Sequence, residues 1–251
     1  MGTLTRLLNT PTRAVAIYHT DYPPGGIRAD HDIHCIIGAL LMPCAREGKT
    51  VYAEKDDIGC SGAFTGLGFG GDPGRELLYN AYSTGIDGKP ARHYFKDPNV
   101  ARNTMEQVPV YGDGNDYVVF QPLEQAEASG APIETVVFVV DPTHLSALVT
   151  LAGYDRISSD ACNIRMIHSF SCEQIYALPK SEGSKEYPRA IIGLTELYVR
   201  RYCREEELSF AVPYSMYRKM EENASESFLD TSFWIGRPKD GEAEEKGCDQ
   251  C

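Results

Sequence analysis

Along this chain the apolar positions switch between short continuous runs and helical spacing, and the switches mark the elements. Ala14-Val15-Ala16-Ile17-Tyr18 predicts a first strand, and His19 to His31, rich in Pro, Gly and Asp, predicts a loop. Ile36, Ile37, Leu40, Leu41 and Cys44 recur at helical spacing, so Ile33 to Arg46 reads as a helix, with Asp32 as N-cap and Gly48 as stop. Pro43 inside that helix calls for a kink or an early end. Thr50 to Ala53 predicts a strand, and Arg75 to Tyr82 and Asp97 to Gln107 predict helices. Tyr117 to Leu123 begins as a strand. Thr135 to Val140 is almost continuously apolar, as in a strand buried on both faces. Pro142 opens a helix whose apolar face is Leu145, Leu148, Val149 and Ala152.

Further on, Asn163 to Phe170, Arg189 to Leu194 and Leu208 to Val212 read as strands, Ser171-Cys172-Glu173-Gln174 as a helix start, and Ser215 to Ala224 as a helix. No internal repeat is visible. These elements predict a single α+β domain over 1–236, a mixed sheet flanked by helices, followed by an acidic, disordered tail over 237–251.

Composition narrows the partners. With 251 residues, 42% of them hydrophobic, the chain can bury a sizeable core. A net charge of -12 argues against nucleic acid and against an anionic membrane surface. The chain shows neither the apolar core of a signal peptide nor a run long enough to span a membrane. Eight cysteines in a chain of this size, without a secretion signal, read as reduced thiols in a soluble, cytoplasmic protein.

The chemistry gathers around Asp57-Ile58-Gly59-Cys60-Ser61-Gly62-Ala63-Phe64-Thr65-Gly66-Leu67-Gly68-Phe69-Gly70-Gly71. Glycine lets a backbone approach a ligand closely, and Gly59, Gly62, Gly66 and Gly68 are the expected pocket wall. Cys35, Cys60 and Cys172 share a local grammar, since each stands at a helix start beside unpaired N–H groups. Three converging thiolates need a cation or cluster to neutralise them. Zinc would ask a fourth ligand of His31, His34 or His168. An iron–sulfur cluster, most simply 4Fe–4S, would hold on three cysteines and keep one iron open to a small ligand. The bland alternative is three separate core cysteines.

Other candidates are weaker. Cys44, Cys162 and Cys203 read as core or incidental, and the Cys248-x-x-Cys251 pair sits in the tail. His19, Asp21, His31 and His34 suggest a metal cluster, but histidines of a loop are ordinarily solvated. No nucleophile elbow, Walker loop or His-Glu-x-x-His motif occurs, and the glycine spacing is not that of a dinucleotide fingerprint.

Several blocks carry a resemblance: Ala45-Arg46-Glu47-Gly48-Lys49-Thr50-Val51-Tyr52, Gly59-Cys60-Ser61-Gly62-Ala63, Gly66-Leu67-Gly68-Phe69-Gly70, Tyr117 to Leu123, Asp141 to Val149, Pro188 to Leu194, and Phe210-Ala211-Val212-Pro213-Tyr214. In this order, over roughly residues 14 to 235, the chain resembles the prokaryotic family called domain of unknown function 169. The resemblance implies a shared fold and cysteines at positions matching Cys35, Cys60 and Cys172. Where that family often has proline after the loop cysteine, this chain has Ser61. No reaction is implied.

The leading expectation is thus an iron–sulfur protein with Cys35, Cys60 and Cys172 as ligands. It would serve electron transfer or ligand activation, with a small molecule or a redox protein as partner. Two alternatives stand beside it: a cofactor-free small-molecule-binding module, and a thiol enzyme using Cys60.

Overall fold

The apolar runs do become strands, and they assemble into one mixed eight-stranded sheet flanked by helices, an α+β fold. The computed structural model describes residues 2–30, 33–71, 74–112, 115–156, 163–234 and 236. His31, Asp32, Cys162 and the 237–251 tail with Cys248 and Cys251 lie outside the described residues.

In chain order the elements begin with α1 (Thr3–Leu8), β1 (Val15–Thr20) and β2 (Ile27–Arg28). A π-helix at Ile37–Leu41 then runs into α2 (Met42–Glu47), followed by β3 (Val51–Glu54), α3 (Ser61–Gly66), α4 (Arg75–Tyr82), α5 (Pro98–Met105) and β4 (Tyr117–Pro122). After α6 (Leu123–Ser129) come β5 (Thr135–Val140), α7 (Pro142–Ala152) and β6 (Ile164–Met166). A second π-helix, Glu173–Ala177, runs into α8 (Leu178–Glu182), and β7 (Ala190–Gly193), β8 (Leu208–Pro213) and α9 (Tyr214–Ala224) complete the described elements. The strand order is β2-β3-β4-β1-β5-β8-β7-β6.

Two local departures from the sequence reading have physical causes. β1 continues to Thr20 because its ladder with β4 continues to the Thr20–Tyr117 pair, so His19 is a buried strand residue rather than a solvated loop histidine. The predicted 33–46 helix is a π-turn joined to α2. Proline lacks an N–H and its ring crowds the preceding turn. The ladder widens just ahead of Pro43, which then sits at the start of α2, where proline is tolerated. Pro179 stands in the same relation to the second π-helix and α8.

That parallel belongs to a larger one. Strands β1 to β4 lie in the order β2-β3-β4-β1, and β5 to β8 in the same order turned about, β5-β8-β7-β6. Each half opens with a parallel edge pair and closes with antiparallel pairs. The registers agree: Val15 faces Pro122 as Thr135 faces Pro213, and each proline leads directly into a helix. The halves meet where β1 runs antiparallel to β5, with Val15 on Val137, Ala16 on Val136 and Ile17 on Thr135. With Val15 equivalent to Thr135, this pairing is symmetric about Ala16–Val136. The sheet is therefore an internal duplication with a pseudo-two-fold axis, which the sequence reading missed because the strands share apolar character rather than identical residues.

The apolar residues of β5 divide between both faces. Val137 and Val139 enter the layer that holds the π-helices, while Val136, Phe138 and Val140 enter the layer with α1, α7 and α9. Edge strands β2 and β6 have two and three residues, which limits edge-to-edge pairing with other chains. Among the described residues no helix is long and apolar enough to cross a membrane.

Candidate functional site

The duplication explains where the cysteines fall. Cys35 lies between β2 and β3, just before the first π-helix, and Cys172 lies between β6 and β7, as N-cap of the second. Aligning Pro43 with Pro179 sets Ile36 opposite Cys172 and Cys35 opposite Ser171, so the two thiols occupy the same connection of each half, one position out of register. Cys60 stands in the β3–β4 connection as N-cap of α3, and Glu196 stands in the β7–β8 connection. Each of Cys35 and Cys172 feels the charge of the other groups: Cys60 and Glu196 act on Cys35, and Cys60, Glu196 and Cys35 act on Cys172. The thiols of Cys35, Cys60 and Cys172 and the carboxyl of Glu196 thus lie close enough to influence one another.

They do not form a metal centre. Among the described residues no group of three or more His, Cys, Asp or Glu side chains is placed to hold a metal ion. The expectation of an iron–sulfur cluster on Cys35, Cys60 and Cys172 is thereby overturned. The local environment gives the physical reason. Cys172 is buried in the core, and burial, then the charges of Cys60 and Glu196, push its thiol far up. Burial also pushes up the Cys35 thiol, although the backbone N–H groups of Gly38 and Ile37 donate to its sulfur and pull the other way. Of the three, only Cys35 has the expected sulfur–amide contact; Cys60 and Cys172 make no side-chain cap bond. Protonated thiols held by protein groups are poor metal ligands.

The predicted glycines serve packing more than an open wall. Gly59 is exposed. A Cβ at Gly62 would reach the Phe170 ring at 3.2 Å, and one at Gly66 would meet Cys172 Cβ and the Glu173 backbone nitrogen, both at 2.9 Å. These two let α3 lie flat against the second π-helix. Gly68, at φ +89°, turns the chain over the Tyr176 ring.

Around the thiols stand carboxylates that the sequence reading did not select. Glu173 is buried, accepts from the Phe170 N–H at 3.2 Å and pairs with Arg75 at 3.2 Å. Burial pushes its carboxyl up to about 7, against the pull of Arg75. Glu196 accepts from the Ser171 N–H at 3.1 Å and the Tyr82 hydroxyl at 3.3 Å, and burial raises its carboxyl too. Arg92 donates to the Tyr82 oxygen at 2.7 Å and lies over the Tyr82 and Tyr198 rings. The contacts of Glu196 join residues 25 and 114 positions apart, and Arg75 reaches Glu173 across 98, so no local motif announces them.

The remaining candidates separate cleanly. Cys44 is a core thiol pushed far up by burial. The Cys203 thiol donates to the Val199 carbonyl at 3.5 Å. His168 stacks on Phe95 with centroids 4.5 Å apart. His34 and Cys35 line a cleft of about 510 Å³ beside β2 and β3, with Arg28, Gly38, Lys49 and Tyr202 among the other walls. Arg28 is held there by two bonds of 3.0 Å to buried Asp57, the first residue of the glycine-rich stretch.

Fold and site thus define an internally duplicated α+β protein with thiols and carboxylates gathered around the start of its second π-helix. The chain belongs to the DUF169 family, described as "Uncharacterised ArCR", whose profile matches residues 3–223. No curated protein and no solved structure matches it.

Proposed function

We propose that this chain is a cofactor-free small-molecule-binding module whose ligand sits in the cleft beside β2 and β3, with Cys35 as the link to the inner thiols. One observation carries the reading: Cys35 both lines the cleft and interacts electrostatically with Cys60 and Glu196. A cleft of about 510 Å³ falls within the range that encloses small ligands. The polar lining carries both signs of charge: Arg28 pairs with Asp57 and Glu54, Lys49 with Glu47, and Asp30 stands beside them.

Binding is favoured over thiol catalysis because Cys60, the residue a thiol enzyme would use, makes no side-chain bond to the start of α3 that would stabilise a thiolate, and the thiolate is the nucleophile. The reading includes a cytoplasmic location, where reduced thiols persist. Five described cysteines stand free, in keeping with it.

The test is a melting-temperature screen of small polar metabolites, followed by affinity measurement on the natural chain and on Cys35→Leu, which places bulk at the cleft wall. The expected hit also slows alkylation of Cys35 by iodoacetamide and binds the variant roughly tenfold or more weakly. Equal binding by the folded variant removes the cleft from consideration. Rapid alkylation of Cys60 at pH 7 would favour the thiol enzyme instead.

A further inference from the structure

A second polar network lies away from the cleft, under the glycine turn. Glu134, just before β5, accepts from three sides: His19 Nδ1 at 2.8 Å, Tyr176 Oη at 3.0 Å and Lys180 Nζ at 2.9 Å. Lys180 also donates to the Tyr176 oxygen at 2.8 Å. Burial works against an ionised Glu134, but His19 and Lys180 outweigh it and hold its carboxyl below the ordinary range.

His19 is 7% exposed, and its Nε2 is buried with no hydrogen-bond partner. In the neutral ring Nδ1–H donates to Glu134, so Nε2 presents an unused lone pair. A buried polar atom left this way costs about 1–3 kcal/mol. The walls around it are aromatic: Phe69 stands edge-on at 5.4 Å, and Tyr176 tilts at 4.9 Å.

The duplication shows that the fold does not require this network. Strand register makes Val139 the counterpart of His19 and Ala14 the counterpart of Glu134. Matching Pro43 to Pro179 makes Leu40 and Cys44 the counterparts of Tyr176 and Lys180. All four counterparts are buried apolar or thiol side chains. One half packs its core at these positions, and the other gathers an acid, a base, a cation and a hydroxyl there.

We propose that His19, Glu134, Tyr176 and Lys180 form a proton-accepting site for a small aromatic molecule with an acidic, phenol-like hydroxyl. The ring of such a molecule suits the aromatic walls, and its hydroxyl supplies the donor that Nε2 lacks. The hydroxyl O–H bond breaks, the proton passes to His19 Nε2, and the electron pair stays on the oxygen. Glu134 stabilises the imidazolium through Nδ1–H, and Lys180 contributes positive charge to the same network. Phe69 covers the histidine.

The probe is p-nitrophenol, added to the full chain in buffer acidic enough to keep the unbound probe protonated, and followed by its visible phenolate band. The expected result is saturable growth of that band with the natural chain, and binding roughly tenfold or more weaker in His19→Val and Tyr176→Leu. These variants carry the other half's residues, and melting curves verify that they fold. If His19→Val does not fold, His19→Gln decides in its place. No saturable change in either the natural chain or Phe69→Ala, which uncovers the histidine, overturns the proposal. So does equal binding by a folded His19 variant. The cleft at Cys35 is untouched by these substitutions, so either reading can fail alone.

Discussion

Glu173 shows how one residue's setting becomes a property of the whole chain. Its carboxyl is pushed up to about 7 by burial. Between the ordinary carboxylate range and that value, the folded state keeps a proton that the unfolded chain has released. Stability therefore falls as pH rises through this window, by at most ~3 kcal/mol from this group. Glu173→Gln has no such proton to lose. The difference in melting temperature between variant and natural chain is expected to shift in favour of the variant from about pH 4.5 to pH 7, measured by thermal scans across that range. A difference that is flat with pH contradicts the assignment. Glu134 has the opposite sign, since its lowered carboxyl contributes stability that is lost as pH falls through its folded value.

Among the elements, the contact between α3 and the second π-helix is the most demanding. The backbone nitrogen of Glu173 would lie 2.9 Å from a Cβ at Gly66, and backbone cannot swing aside as a flexible side chain does. Gly66→Ala is expected to destabilise by about 1–3 kcal/mol. Gly62→Ala meets only the Phe170 ring, at 3.2 Å, and is expected to cost less. Urea denaturation of the pair checks the order, and a Gly66→Ala midpoint at or above that of Gly62→Ala would refute it. The same contact shows why the glycine-rich stretch reads ambiguously from sequence. Glycine spacing reports that something approaches closely, but a ligand and a packed π-helix leave the same signature. Both π-helices begin within two residues of a cysteine and lead directly into a helix that opens with proline in its first turn, a pattern visible only once both are seen together.

For the molecule as a whole, β5 joins the two halves and is buried on both faces. Phe138 fills the layer opposite the π-helices and is 2% exposed. Phe138→Ala is expected to cost about 3–5 kcal/mol. Because the halves share one sheet and one central pairing, the loss should appear as an earlier single transition with unchanged denaturant slope. Two separated transitions would show that the halves unfold independently.

Much of the fold was legible along the chain, because its evidence is local. The run from Thr135 to Val140 marks a doubly buried strand, Pro142 a helix start, and the cysteines three element junctions. Cys35, Cys60 and Cys172 also influence one another electrostatically. Whether they hold a metal depends on burial, neighbouring charge and side-chain placement: among the described residues no metal-holding group forms, and burial pushes up the thiols of Cys35 and Cys172. Pairings such as His19 with Glu134 span 115 residues and follow from strand register. The internal duplication is of the same kind. Hydrogen-bonded register preserves topology while the side chains diverge, so equivalent positions can carry histidine in one half and valine in the other without leaving a repeat in the sequence.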